Sequence, residues 1–149
     1  RTSPFAFTGN KFEFRMPGSG VNLSDCNMIL NTAMAKSLKD FADAMGDVSG
    51  AEFEKKAIKY IKQTLTDHQR IIFNGNGYSE EWEKEAQRRG LANHRTTADA
   101  LPCLISQKSI DLFEEFGVLN EAEVRSRYEV KLEKYNKLLN IEARVLASN

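Results

Sequence analysis

Cysteine is scarce in this chain: Cys26 and Cys103 alone among 149 residues, far apart and in no paired motif. That count argues against a disulfide framework and fits two reduced, buried thiols in a cytoplasmic protein. Histidine is equally scarce, with only His68 and His94, and the four residues together match no zinc-binding spacing. A Cys–His nucleophilic pair would have to be assembled by the fold, and core or surface roles are the simpler expectation. An excess of one charge sign is missing too. Lys+Arg and Asp+Glu both total 21, a net charge of zero that argues against a broad nucleic-acid surface. No apolar run approaches the ~20 residues needed to span a bilayer, and no signal-peptide pattern occurs. Internal repeats, low-complexity tracts and linkers are absent as well.

What is present is concentrated in the opening stretch, Arg1 to Gly20. Gly9-Asn10 is the signal of a two-residue hairpin turn with positive φ. A two-residue loop pairs Thr8 with Lys11, Phe7 with Phe12, Ala6 with Glu13 and Phe5 with Phe14. Four phenylalanines then share one face as cross-strand aromatic pairs, anchoring the hairpin. The opposite face carries Lys11, Glu13 and Arg15 in a row, neighbours about 6.5 Å apart. A carboxylate between two fixed cations stays ionised and can ligate Mg²⁺ or Mn²⁺, which prefer oxygen donors. Lys11 can grip phosphate oxygens as a point charge and Arg15 as a planar fork. Ala6, opposite Glu13, leaves room above it for an ion or ligand. On composition alone, a solvated ladder of alternating charge is the commoner meaning of such a row.

Beyond the hairpin the apolar residues recur at helical spacing. Asn22 to Ser24 offers an N-cap to a helix over 25–45, whose stripe is Leu30, Met34, Leu38, Phe41 and Met45, widened by Ile29 and Ala33. Gly46 ends it. A second helix is expected over 51–72, with Phe53, Ala57, Ile61, Leu65, His68 and Ile72 on one stripe. Lysines 55, 56, 59 and 62 form its solvated face, and His68 reads as a packed histidine with one hydrogen bond. Asn74-Gly75-Asn76-Gly77-Tyr78 lacks the Gly-Lys-Ser/Thr of a P-loop and reads as a helix-ending loop. Ser79 caps a short helix that Gly90 stops, its first-turn glutamates and last-turn Arg88 and Arg89 complementing the macrodipole. Thr97 is expected to cap 98–101 ahead of Pro102, with His94 and Arg95 in the polar loop before it. Helix 106–116 ends at Gly117. Asn120 and Glu123 resemble a capping box at the head of a long helix striped by Val124, Tyr128, Leu132, Tyr135, Leu139 and Leu146. That stripe lasts only about three heptads, too short to make coiled-coil pairing the leading expectation.

The stretch Arg-Thr-Ser-Pro-Phe-Ala-Phe-Thr-Gly-Asn-Lys-Phe-Glu-Phe-Arg closely resembles a segment of the catalytic domain of type III glutamine synthetases. Phe73-Asn-Gly-Asn-Gly-Tyr-Ser-Glu-Glu-Trp82 and Asn140-Ile-Glu-Ala-Arg144 are similar to further segments of that family, so the resemblance spans nearly the whole chain. It implies an α+β, mainly α fold: a hairpin from the catalytic sheet (1–16), then about five helices (23–149). Residues 1–149 would be a single unit, the C-terminal portion of the catalytic domain. It also implies ATP and Mg²⁺ or Mn²⁺ as cofactors, and glutamate and ammonium as further substrates. The product is glutamine, reached through a γ-glutamyl phosphate. By the same resemblance Glu13 is a metal-binding carboxylate, and Arg15 stands at the transferring phosphate and substrate. Arg1 is a second phosphate-contacting arginine, and Lys11 approaches the nucleotide. The better-known types carry another arginine shortly after the first; here those positions read Pro4-Phe5-Ala6-Phe7.

The family assembles as double-ring homo-oligomers with active sites between neighbouring subunits, so self-association of the parent enzyme is implied, without nucleic acid or membrane. The Arg at position 1 and the still-amphipathic final helix suggest a piece of a longer protein, and this piece alone is expected to be inactive. The alternative is a helical interaction or regulatory module whose charged hairpin face only solubilises it.

Overall fold

A computed structural model of the chain describes residues 5–16, 18 and 20–148. Its described residues form a two-stranded antiparallel hairpin, β1 (Phe5–Phe7) and β2 (Phe12–Phe14), followed by six α-helices and two 3₁₀ turns. The helices are α1 (Ser24–Met45), α2 (Gly50–Asp67), α3 (Glu80–Arg88), α4 (Thr97–Ala100), α5 (Gln107–Glu115) and α6 (Glu121–Ser148). The fold is therefore mainly α with a small β element. It divides into two compact units, the first ending at Asn93 and the second beginning at His94.

In the first unit the hairpin has the expected register, Phe5 opposite Phe14, Ala6 opposite Glu13 and Phe7 opposite Phe12. Gly9 takes φ 97° while Asn10 stays at negative φ, the sign pattern of a type II′ turn, whose twist suits antiparallel strands. The Thr8 N–H donates to the Lys11 carbonyl at 2.8 Å and closes the loop. Phe12 stacks on Phe5 at 5.0 Å and leans on Phe7 at 5.3 Å. This aromatic face is not covered, however: Phe7 is 64% and Phe12 47% exposed.

Helix α1 begins where the Asn22 side chain accepts from the Ser24 N–H at 2.7 Å, and ends at Gly46 with φ 61°. Its buried face is not quite the expected stripe. Met45 and Thr32 are buried, Thr32 with its hydroxyl donating to the Met28 carbonyl, whereas Leu38, Ile29 and Ala33 are exposed. Helix α2 packs on α1 through its first turns, where Phe41 meets Phe53 and Tyr60 edge-on at 6.2 and 5.4 Å. Lys56 donates to the Met45 carbonyl and seals that corner.

The expected helix 51–72 stops at Asp67, and residues 69–71 form a 3₁₀ turn instead. The reason lies seventeen to nineteen residues downstream. The guanidinium of Arg89 donates to the carbonyls of Ile72 at 2.8 Å and Arg70 at 3.2 Å, accommodating a chain that has left the helix. Ile61, Leu65, His68 and Ile72 are all exposed, so His68 is a surface C-cap and not the packed histidine the apolar spacing suggested.

The second unit carries the better-packed core. Ile110 and Phe113 of α5, Leu119 of the turn and Val124 of α6 are all at most 5% exposed. Caps delimit each helix. Thr96, one residue earlier than expected, caps α4 by accepting from the Asp99 N–H, and Ser106 caps α5 by accepting from the Ser109 N–H. Asn120 and Glu123 form the full reciprocal box at 2.9 Å each way, and the Glu114 carboxylate accepts from the Glu121 N–H. Together these satisfy donors that a helix start otherwise leaves unpaired. From position 136 to 148 every residue of α6 is exposed. Among the described residues, no helix is long and apolar enough to cross a membrane.

Candidate functional site

Strand β2 holds the candidate row because alternation sends Phe12 and Phe14 to one face and Lys11, Glu13 and Arg15 to the other. Arg15 donates through Nε and Nη2 to Glu13 Oε2, at 3.2 and 2.9 Å. Lys11 Nζ stands 3.8 Å from Glu13 Oε1. The Arg15 hydrogen bonds, helped by the charges of Arg15 and Lys11, hold the Glu13 carboxyl below the ordinary carboxylate range, so it is ionised at neutral pH. The structure thus brings Lys11, Glu13 and Arg15 together as expected. Arg1, the fourth site residue, lies outside the described residues.

Glu13 is a hard, charged oxygen donor and suits one position in the shell of a divalent ion. Among the described residues no group of three or more His, Cys, Asp or Glu side chains is gathered around it or elsewhere. A complete metal site therefore does not reside in these residues; Glu13 can supply one ligand.

Two further features were not legible in the sequence. The first is a clamp around the Phe73–Tyr78 loop. Phe73 and Trp82 stack at 4.1 Å, and the Arg89 guanidinium lies 5.9 and 5.8 Å from their ring centroids. Glu85 pairs with both Arg88 and Arg89, whose hydrogen bonds pull its carboxyl down to about 2. Arg89 is thus more than a last-turn charge: it ties the end of α3 back to the 3₁₀ turn that follows α2. Gly75 has no side chain because a Cβ there would come within 2.8 Å of Phe73 Cε1, with the ring tip closer still. The loop itself is fixed by the Asn76 side chain, which accepts from the Tyr78 N–H.

The second is a pair that no spacing motif announces. Cys103 Sγ and His94 Nε2 are 3.3 Å apart. Cys103 is exposed, in contrast to the buried thiol expected, and Cys26 is half-buried in the first turn of α1. Neither cysteine is in a disulfide.

With this geometry in view, comparison with known proteins places the chain. Residues 56–148 match the family model of the glutamine synthetase C-terminal domain, and the chain belongs to the glutamine synthetase family. Its likeness is to the type-3 branch: it is 44% identical over 147 residues to the type-3 glutamine synthetase of Dictyostelium discoideum, covering 98% of this chain. Glutamine synthetases of Butyrivibrio fibrisolvens and Bacteroides fragilis are 42% and 40% identical over 96% and 98% of it. The chain spans about a fifth of the length of each of these relatives. The family model begins inside α2, whereas the pairwise likeness covers nearly the whole chain.

Proposed function

We propose that this chain is the C-terminal portion of the catalytic domain of a glutamate–ammonia ligase, which makes glutamine from glutamate and ammonium using ATP. The observation that carries the reading is the Lys11–Glu13–Arg15 row, ion-paired on one strand face, in a chain of the glutamine synthetase family. Transfer of a phosphoryl group from ATP to the glutamate side-chain carboxylate brings two anions together. Fixed cations neutralise the charge that results, and ammonia then displaces phosphate from the γ-glutamyl phosphate.

In this reading Lys11 approaches the nucleotide, and Arg15 holds the transferring phosphate and the substrate. A phosphate arriving at the row competes with Glu13 for the Arg15 donors, so the ion pair seen here keeps both groups oriented until it is exchanged. Glu13 would hold a divalent ion, Mg²⁺ or Mn²⁺, together with ligands from elsewhere in the protein, and such an ion, when bound, would supply charge neutralisation for phosphoryl transfer. Arg1 is assigned a phosphate contact on resemblance alone. The parent enzyme is a cytoplasmic homo-oligomer of the double-ring type, and this chain by itself is inactive, because its row contains one carboxylate where a metal site needs several.

The test is γ-glutamyl transfer by the full-length protein. Glu13→Ala is expected to lower activity by about 10²-fold or more, the scale of losing one electrostatic partner of a transition state. Unchanged activity removes Glu13 from the site.

A further inference from the structure

Outside the charged strand, the most chemically specific arrangement in the molecule is the contact between Cys103 and His94. The two residues lie nine positions apart, on the loop before α4 and in the 3₁₀ turn over Leu101–Ile105. Their distance of 3.3 Å is within hydrogen-bonding range for sulfur, and both side chains are exposed. With the ring proton on Nδ1, Nε2 is an acceptor aimed at the thiol.

The pair is held by its surroundings. The Cys103 carbonyl accepts from the Ser106 hydroxyl at 2.9 Å and the Ser109 hydroxyl at 2.8 Å, which fixes the backbone under the sulfur. On the other side Thr96 accepts from the Asp99 N–H and its hydroxyl donates to the Asp99 carboxylate, which sets the loop that carries His94. Ser106 in turn caps α5, whose Ile110 and Phe113 are part of the unit's core. A cysteine beside a positioned base and open to solvent has the features of a reactive thiol; a structural cysteine is buried and inert.

We propose that Cys103 and His94 form a peroxide-sensitive thiol site, whose substrate class is small hydroperoxides. Nε2 of His94 takes the thiol proton, and the sulfur attacks one oxygen of the hydroperoxide. The S–O bond forms as the O–O bond breaks, with the electron pair leaving on the second oxygen. That oxygen takes the proton back from His94, so hydrogen peroxide yields one water and Cys103 becomes a sulfenic acid. Sulfur loses two electrons and the peroxide gains them. The pair shares no residue with the charged strand.

The experiment uses the whole protein, treated with dilute hydrogen peroxide, with sulfenic acid trapped by dimedone and each cysteine peptide read separately by mass. Cys103 is expected to be labelled about tenfold faster than Cys26, the half-buried internal reference. His94→Gln retains an acceptor but cannot take the proton; it should bring Cys103 down to the rate of Cys26 while leaving Cys26 unchanged. Exposure alone would give a fast Cys103 that ignores this substitution. His94→Ala, assayed with and without added imidazole, is a second arm: the rate should fall and be restored by imidazole. His94 is exposed, so neither variant should unfold the chain. Labelling of Cys103 no faster than Cys26, or unchanged in both His94 variants, overturns the proposal.

Discussion

The two units spend similar sequences on different ends. The second, from His94 onward, closes a small core over Ile110, Phe113, Leu119 and Val124 and ties its helix starts with side-chain caps. In the first, α1 and α2 are longer than any second-unit helix except α6, yet of its described residues only Met45, Ala86 and Thr32 are buried. Many of its apolar side chains are uncovered: Phe7, Phe12 and Phe14 of the hairpin, Leu38, and the stripe of Ile58, Ile61 and Leu65 along α2. An amphipathic pattern states which side of an element is greasy. Whether that side is covered depends on what else is there: the second unit covers it at α5 and the start of α6 and leaves Leu138, Leu139, Ile141, Val145 and Leu146 of the same helix as open as the stripe of α2.

The contrast can be broken most sharply at Phe113, which is 2% exposed. Phe113→Ala should cost about 3–5 kcal/mol in denaturant unfolding, because the cavity it leaves adds to the lost transfer energy. Gly75→Ala in the first unit should cost about 1–3 kcal/mol, since the new methyl displaces a Phe73 ring already stacked on Trp82. A loss as large as that of Phe113→Ala would mean that the loop clamp is as structural as the core. Glu123→Ala, which removes half of the capping box, should cost about 1 kcal/mol and show as reduced helicity of α6 by circular dichroism.

A smaller effect is expected from acid at Glu85. Its carboxyl is held at about 2 in the folded chain, below its ordinary value, so its pairs with Arg88 and Arg89 stabilise the fold above the ordinary carboxylate range. That stabilisation drains as pH falls from about 4.5 toward about 2. Glu85→Gln should therefore flatten the unfolding midpoint across that interval; an unchanged slope would show the pairs to be inert. Least of all should matter Leu38→Ala, within about 0.5 kcal/mol at a position 62% exposed. A cost above 2 kcal/mol there would show that α1 is covered in solution.

What the sequence disclosed follows the range over which each signal acts. The hairpin register was legible because Gly9-Asn10 and the alternating phenylalanines fix it within ten residues, and the ends of α1, α3, α5 and α6 because their caps are local. The Lys11–Glu13–Arg15 row was visible for the same reason, since a strand's period of two aligns it without help from the fold. The faces of α1 and α2 were misjudged at Leu38, Ile61 and His68, where tertiary neighbours decide. The reach of Arg89 back to Ile72 and the meeting of His94 with Cys103 depend on chain reversals that no spacing rule encodes. Thr97 was one residue from the true cap, Thr96, because adjacent threonines offer the same hydroxyl and only the backbone chooses between them.

Helix α6 has one more consequence. Its beginning is bolted by Asn120, Glu123 and Glu114, with Val124 sunk completely beneath the surface, while every residue from 136 to 148 faces solvent. Such a rod has a polarity to its melting. Amide exchange should run as a gradient, fastest near Ser148 and slowest near Val124, so that α6 shortens from its far end like a candle, with its foot going out last.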